Sequence, residues 1–121
     1  MKSLWWVLPF AFLLLQGCGP SCENEVQSRL PSPDGSREAV LFMRGCGATV
    51  DFNSQLSVLA PNSTLPDSVG NLAAVGGLKS IQVRWVSDSQ LEVSLLASER
   101  VFRRESEAFG VQATYLVRAA F

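Results

Sequence analysis

Between Ile81 and Leu95 apolar and polar residues alternate with a period of two, on both sides of a short polar link. No other feature of the chain limits its fold as strongly. Ile81, Val83 and Trp85 alternate with Gln82 and Arg84. Leu91, Val93 and Leu95 alternate with Glu92 and Ser94, and Ser87-Asp88-Ser89-Gln90 joins the two runs. Successive strand side chains point to opposite faces, so each run lays one row in a core and one in water. The short link makes the pair an antiparallel hairpin, and the buried face pins its register. Trp85 extends the apolar row and reads as a core residue rather than a binding platform. No segment sustains the 3.6-residue period of an amphipathic helix.

The remaining chain supplies further strands. Val111, Ala113, Tyr115 and Val117 form a last alternating strand, and Val101 to Arg104 a short charged one. Glu25 to Leu30 and Arg37 to Met43 flank Pro31-Ser32-Pro33-Asp34-Gly35. In that link proline presets φ, aspartate bonds to its own backbone and glycine accepts positive φ, so the three segments read as a hairpin. Ser54 to Leu59 places Leu56 and Val58 on one face. Ala60 to Leu78 carries Pro61, Pro66, Gly70, Gly76 and Gly77 and reads as a long functional or mobile loop, with a short strand or turn at Asn71 to Val75. The expected class is all-β: a single small antiparallel domain, a meander closing into a sandwich or open barrel, with one disulfide after an N-terminal signal helix.

The first residues are an address rather than part of that domain. After Lys2 comes an unbroken apolar run, Leu4 to Leu15, interrupted in geometry by Pro9. As a helix it would be about 18 Å long, against about 30 Å for a bilayer core, so it suits a secretory leader and not a spanning helix. Leu15-Gln16-Gly17-Cys18 follows. This resembles the lipobox of bacterial lipoproteins: an apolar residue, a variable residue, a small residue at the cut, then the cysteine that takes diacylglycerol. The resemblance implies a signal peptide over 1–17, acyl chains such as palmitate on Cys18, a short tether over 18–22 and a β domain over 23–121. A single acyl chain holds a protein weakly, but two or three hold it firmly, so the mature protein is expected to be anchored to a membrane without spanning it. Gly19, where an aspartate would retain a lipoprotein at the inner membrane, favours the periplasmic face of the outer membrane in envelopes that have two.

Three cysteines are present, Cys18, Cys22 and Cys46. With Cys18 acylated an even pair remains, and an exported compartment oxidises it, so a Cys22–Cys46 disulfide is expected. Two free thiols or a three-cysteine metal site are the other readings. The bridge would close a loop worth about 3.5 kcal/mol by chain entropy.

The chain holds 10 basic and 11 acidic residues, for a net charge of −1, and no histidine. The balance argues against nucleic acid as a partner, and the missing histidine removes Ser-His-Asp and Cys-His catalysis and histidine-ligated metals. What remains is sparse. Glu23 and Glu25 read as a solvated face, and Lys79-Ser80 as adjacent strand residues pointing apart rather than a Ser–Lys pair. Asn62-Ser63-Thr64 matches a glycosylation sequon without weight behind a bacterial lipobox. Asp51, Asp67 and Asp88 are too scattered for a carboxylate site. Arg100, Arg103 and Arg104, interleaved with Glu99, Glu105 and Glu107, are the candidate partner surface, or a charged edge strand that discourages edge pairing. No catalytic residue, cofactor or metal site is expected.

From Cys22 onward the order of landmarks resembles a group of short, uncharacterised bacterial lipoproteins: Cys22-Glu23-Asn24-Glu25, Ser32-Pro33-Asp34-Gly35, an apolar strand, then Arg44-Gly45-Cys46-Gly47-Ala48-Thr49 with Phe52 just after. The resemblance implies an anchored, disulfide-bridged domain and adds no catalytic residue. The expected architecture also resembles small lipoprotein inhibitors of lysozyme. Two functions follow as expectations: a non-enzymatic, lipid-anchored envelope domain that binds a protein or cell-wall component, or an inhibitor of a secreted cell-wall hydrolase such as lysozyme, with the 60–78 loop entering its cleft.

Overall fold

The computed structural model describes residues 21–47 and 51–121. The expected signal peptide over 1–17 and the expected lipidation site Cys18 lie outside the described residues. Among those described, every regular element is a strand: β1 (Glu23–Pro31), β2 (Glu38–Gly45), β3 (Asn53–Leu59), β4 (Ala73–Gly76), β5 (Ile81–Ser87), β6 (Gln90–Leu96), β7 (Val101–Arg104), β8 (Glu107–Ala108) and β9 (Val111–Arg118). They form two sheets, ordered β1-β2-β3-β4-β7 and β5-β6-β9-β8. The chain runs as hairpins through β1–β3 and through β5–β6. It then crosses to the first sheet for β7 and returns, so β9 lies parallel to β6 while the other pairs are antiparallel.

The alternating runs pair as their pattern requires. Ile81 faces Leu95, Val83 faces Val93 and Trp85 faces Leu91, while Arg84 faces Glu92 on the wet side. The inner rows of the two sheets meet in one core. Leu56 and Val58 of β3, Ala73 and Val75 of β4, Leu91, Val93 and Leu95 of β6, and Val111 of β9 are buried together. The architecture is therefore a β-sandwich.

One aromatic side chain closes each open side of the sandwich. Trp85 Nε1 donates to the Leu30 carbonyl at 2.9 Å, joining edge strand β5 to edge strand β1. The Tyr115 hydroxyl lies 2.7 Å from the Glu105 carbonyl oxygen and 3.1 Å from that of Leu72, joining β9 to the β4–β7 side. Both rings are half-buried against the core and spend their polar atom on backbone of the opposite sheet, as partly buried Trp and Tyr commonly do.

The long 60–78 segment is neither free nor wholly loop. Residues 73–76 are the fourth strand of the first sheet. Residues 60–72 fold back along that sheet's outer face. The Gly70 amide donates to Gln55 Oε1 at 2.6 Å and the Asn71 amide to Ser57 Oγ at 3.0 Å. Asn71 also brackets Val58, accepting from its amide and donating to its carbonyl. At the far side of the sheet, Asn24 Nδ2 donates to the carbonyls of Pro66 and Ser68. This cover explains why Val40 and Phe42 are 0% and 1% exposed although they point away from the inter-sheet core.

Candidate functional site

The two ends of the sandwich differ in chemistry. At one end lies the Ser32–Arg37 turn. Asp34 Oδ1 accepts from the Ser32 hydroxyl and from the amide and hydroxyl of Ser36, and Gly35 takes φ 73°. These donors, led by the Ser36 amide, hold the Asp34 carboxyl down at about 2. The turn aims Arg37 across the end of the molecule. Its Nε donates to the Phe109 carbonyl at 2.9 Å and its Nη1 to the Asp88 carbonyl at 3.2 Å. Asp88 returns a carboxylate oxygen to the Asp34 amide at 2.8 Å. Phe109-Gly110 is a two-residue turn with positive φ at both positions. Gly110 also gives Arg37 its seat, because a Cβ there would stand 2.8 Å from Nη2. Three turns from both sheets are thus fastened by one guanidinium, and the structural reading of the Ser-Pro-Asp-Gly turn gains a second task, that of placing Arg37.

At the opposite end stands the Cys22–Cys46 disulfide, which joins the start of β1 to the residue after β2. Glu23 pairs with Gly45 just inside it, and the Phe52 ring lies where a Gly45 side chain would be. The short link from β4 to β5 is locked here by two buried serines. Ser54 Oγ donates to the Gly77 carbonyl and accepts the Ser80 amide, and the Ser80 hydroxyl donates to the Gly76 carbonyl at 2.6 Å. Lys79 stays exposed at φ 56° beside it. Lysine and serine have separate surroundings, but through the turn of the link and not through strand alternation, since neither residue lies in a strand.

Between β1–β2 and β5, below the Trp85 closure, the sheets part to leave a cleft of about 450 Å³. Leu41, Met43, Ile81 and Phe121 give it apolar walls, and Gln27 and Lys79 stand among its polar lining. Its size falls within the range of small-molecule sites, and its lining mixes five apolar residues with six polar ones. None of these residues carries a sequence motif.

The three arginines of the candidate partner surface do not converge. Arg100 lies over the Phe102 ring at 5.2 Å, Arg103 Nε pairs with Glu105 at 3.3 Å, and Arg104 lies over the Tyr115 ring at 5.5 Å. Burial pushes the Tyr115 phenol up to about 12, against the pull of the Arg104 charge. Glu23 and Glu25 are both exposed on β1. Among the described residues no three acidic or cysteine side chains gather into a metal-binding group.

Comparison of the chain with protein-family models, with curated proteins and with solved structures returns no match. Among the described residues no helix is long and apolar enough to cross a membrane.

Proposed function

We propose that this protein is a lipid-anchored domain of the bacterial cell envelope that works by binding rather than by catalysis. The observation that carries the reading is the division of its three cysteines. Cys22 and Cys46 are joined in the fold, which leaves Cys18, at the end of Leu15-Gln16-Gly17-Cys18, as the odd thiol. A persistent disulfide belongs to an oxidising compartment, which an exported protein reaches. Acyl chains on Cys18 then fix the domain to a membrane; in an envelope with two membranes this is the periplasmic face of the outer one. The inter-sheet cleft is where a small apolar ligand or an apolar side chain of a partner would sit.

Intact mass of the mature protein, with and without reductant, tests the reading. Diacylglycerol and acyl mass on Cys18, plus a gain of two hydrogens on reduction, is the expected result. An unacylated chain beginning elsewhere, or free Cys22 and Cys46, would end it. The hydrolase-inhibitor alternative needs residues of the 60–78 segment to reach into an enzyme. Residues 60–72 lie flat on the first sheet, so deletion would expose Val40 and Phe42 as well as remove any contact. Substitution of exposed Asn62 and Thr64 tests that alternative without uncovering the sheet.

A further inference from the structure

We propose that the disulfide end of the sandwich is the face the protein lays on the bilayer, inserting a rim of exposed apolar side chains into the lipid interface. The inference deepens the anchored reading above and rests on it for the tether. Ten large hydrophobic residues are conspicuously exposed among the described residues, and six of them lie at this one end: Phe52, Leu78, Val101, Phe102, Val117 and Phe121. Strand register places them at one level, toward the disulfide end of both sheets. Phe52 precedes β3 beside Gly45, and Leu78 lies in the β4–β5 link. Val101 faces Val75, near the end of β4, and Phe102 follows it. Val117 is level with Leu95 and Ile81, where β6 ends and β5 begins. Phe121 stands beside Ile81 in the cleft lining. Among the described residues the opposite end shows only Val86 and Phe109. Phe52, Leu78 and Phe102 are each more than half exposed, at 52%, 54% and 55%. Single exposed apolar residues need no explanation, but a set gathered at one end of a small domain does.

The tether selects the occupant. Three residues separate Cys18 from Cys22, so the chain between them reaches at most about 14 Å. The headgroup layer takes up roughly 6 Å of this on one side of a bilayer, which leaves less than about 10 Å between membrane and disulfide. The end that carries Cys22 is therefore the end nearest the lipid. Phe and Leu side chains suit that interface, where they bury apolar surface at the boundary of headgroups and acyl chains. By the same register Lys79, Arg44, Arg100 and Arg118 stand at this end with Glu23, Glu25, Asp51, Asp67 and Glu99, so there is no basic excess. Attraction to anionic lipid is thus not the driving term, and the contact should resist salt.

Depth-dependent quenching tests the proposal on the full chain, expressed, processed and reconstituted in phosphatidylcholine–phosphatidylglycerol vesicles with brominated acyl chains. Trp5 and Trp6 lie in the leader, so Trp85→Phe leaves a mature background without tryptophan. Into it go Phe102→Trp or Leu78→Trp at the disulfide end, and Phe109→Trp at the other. The expected result is loss of most emission at 102 and 78, none at 109, and no recovery in high salt. Equal emission at all three positions, with acyl mass present on Cys18, overturns the seating and leaves the anchor standing. Absence of acyl mass with no quenching overturns both. Quenching at 102 and 78 without acyl mass supports the seating and removes the anchor. A shielded but unquenched probe at 102 in a dimeric protein shows a protein interface instead and overturns the proposal.

Discussion

Phe42→Ala is the substitution that most directly tests how the first sheet is built. Phe42 points away from the inter-sheet core yet is 1% exposed, and Val40 beside it is fully buried. If the 60–72 segment is a true second cover, Phe42 is a core residue. Burying a phenylalanine removes roughly 150–250 Å² from water. At ~25 cal/mol per Å² that is about 4–6 kcal/mol, an upper bound because the unfolded chain is already partly compact. Measured truncations of buried phenylalanine cost about 3–5 kcal/mol. On a solvent-facing strand the same change would cost within about 0.5 kcal/mol. The two outcomes are far enough apart for urea unfolding of the oxidised protein to decide. The expected change is a large fall in midpoint at constant slope, together with faster proteolytic cutting between Ala60 and Asn71, since the cover loses what it packs on. Phe42→Leu, which keeps most of the volume, should recover much of the stability. A midpoint within error of the parent, with an intact 60–71 segment, would refute the reasoning: the outer face would then be wet, and the low exposure of Phe42 would have some other source.

Reduction of the Cys22–Cys46 bridge, or Cys46→Ser, should cost up to about 3.5 kcal/mol by loop entropy, read as a shifted denaturant midpoint; an unchanged midpoint would mean the β1–β2 ladder alone already sets the unfolded ensemble. Arg37→Ala should cost about 1–2 kcal/mol, because two charge-assisted bonds to backbone carbonyls are lost at a partly exposed site. That corresponds to a fall of roughly 4–16 °C in melting temperature for a domain near this size. Arg37→Lys, a point donor that cannot span both carbonyls, should rescue little of it. The Asp34 carboxyl is held at about 2 against an ordinary value of 3.8, so its contribution is full above about pH 4 and disappears as pH falls through 2; in Asp34→Asn the acid limb of a stability–pH curve should be shallower over that interval. At the alkaline end Tyr115, raised to about 12 from 10.0, supports the fold below pH 10, and that support is lost as pH rises toward 12. Tyr115→Phe should flatten that limb. Trp85→Phe should cost about 1 kcal/mol for the lost bond to Leu30, and a cost near zero in thermal melts would show that β1 and β5 are held together without it.

What the sequence made legible follows from how each strand is buried. β5 alternates because its outer row is open to solvent, and its pairing with β6 matches the pattern residue by residue, although Ser94 on the outer row of β6 is itself buried beside Arg118. Ser32-Pro33-Asp34-Gly35 was readable because turn chemistry is local. The 60–78 segment was not, although a clue existed. Ala39-Val40-Leu41-Phe42-Met43 runs without alternation, which is the mark of a strand covered on both faces. The cover itself is polar at its contact points, where Gln55, Ser57 and Asn71 meet backbone, so hydropathy gave no hint that these residues dock a loop. β8, two residues long, carries too little pattern to see. The crossing that brings β7 beside β4 is a long-range pairing, and neither strand names its partner locally. Arg100, Arg103 and Arg104 look like one cluster along the chain. In the fold, the register shift in the β4–β7 ladder and the pleat send them to three different neighbours.

The polarity of the sandwich from end to end ties these observations to the anchored reading. At the turn end, exposed backbone is paired internally, through Asp34, Asp88 and Arg37, and few apolar groups are left in water. Such an end suits contact with solvent and needs no partner to be stable. At the disulfide end the β4–β5 link is likewise paired, by Ser54 and Ser80, yet the exposed side chains include aromatic and aliphatic ones. Paired backbone in this link beneath exposed Leu78 is what the proposed contact with an apolar neighbour needs. The inter-sheet cleft sits between Trp85 and this rim, with Phe121 belonging to both. A domain seated on this end would hold its cleft close above the bilayer. If cleft and rim work together, Phe121→Ala should weaken vesicle contact and widen the cleft, whereas Phe102→Ser should weaken vesicle contact alone. Binding of a small apolar probe such as anilinonaphthalene sulfonate separates the two, and equal probe binding by both variants would show that cleft and rim are independent.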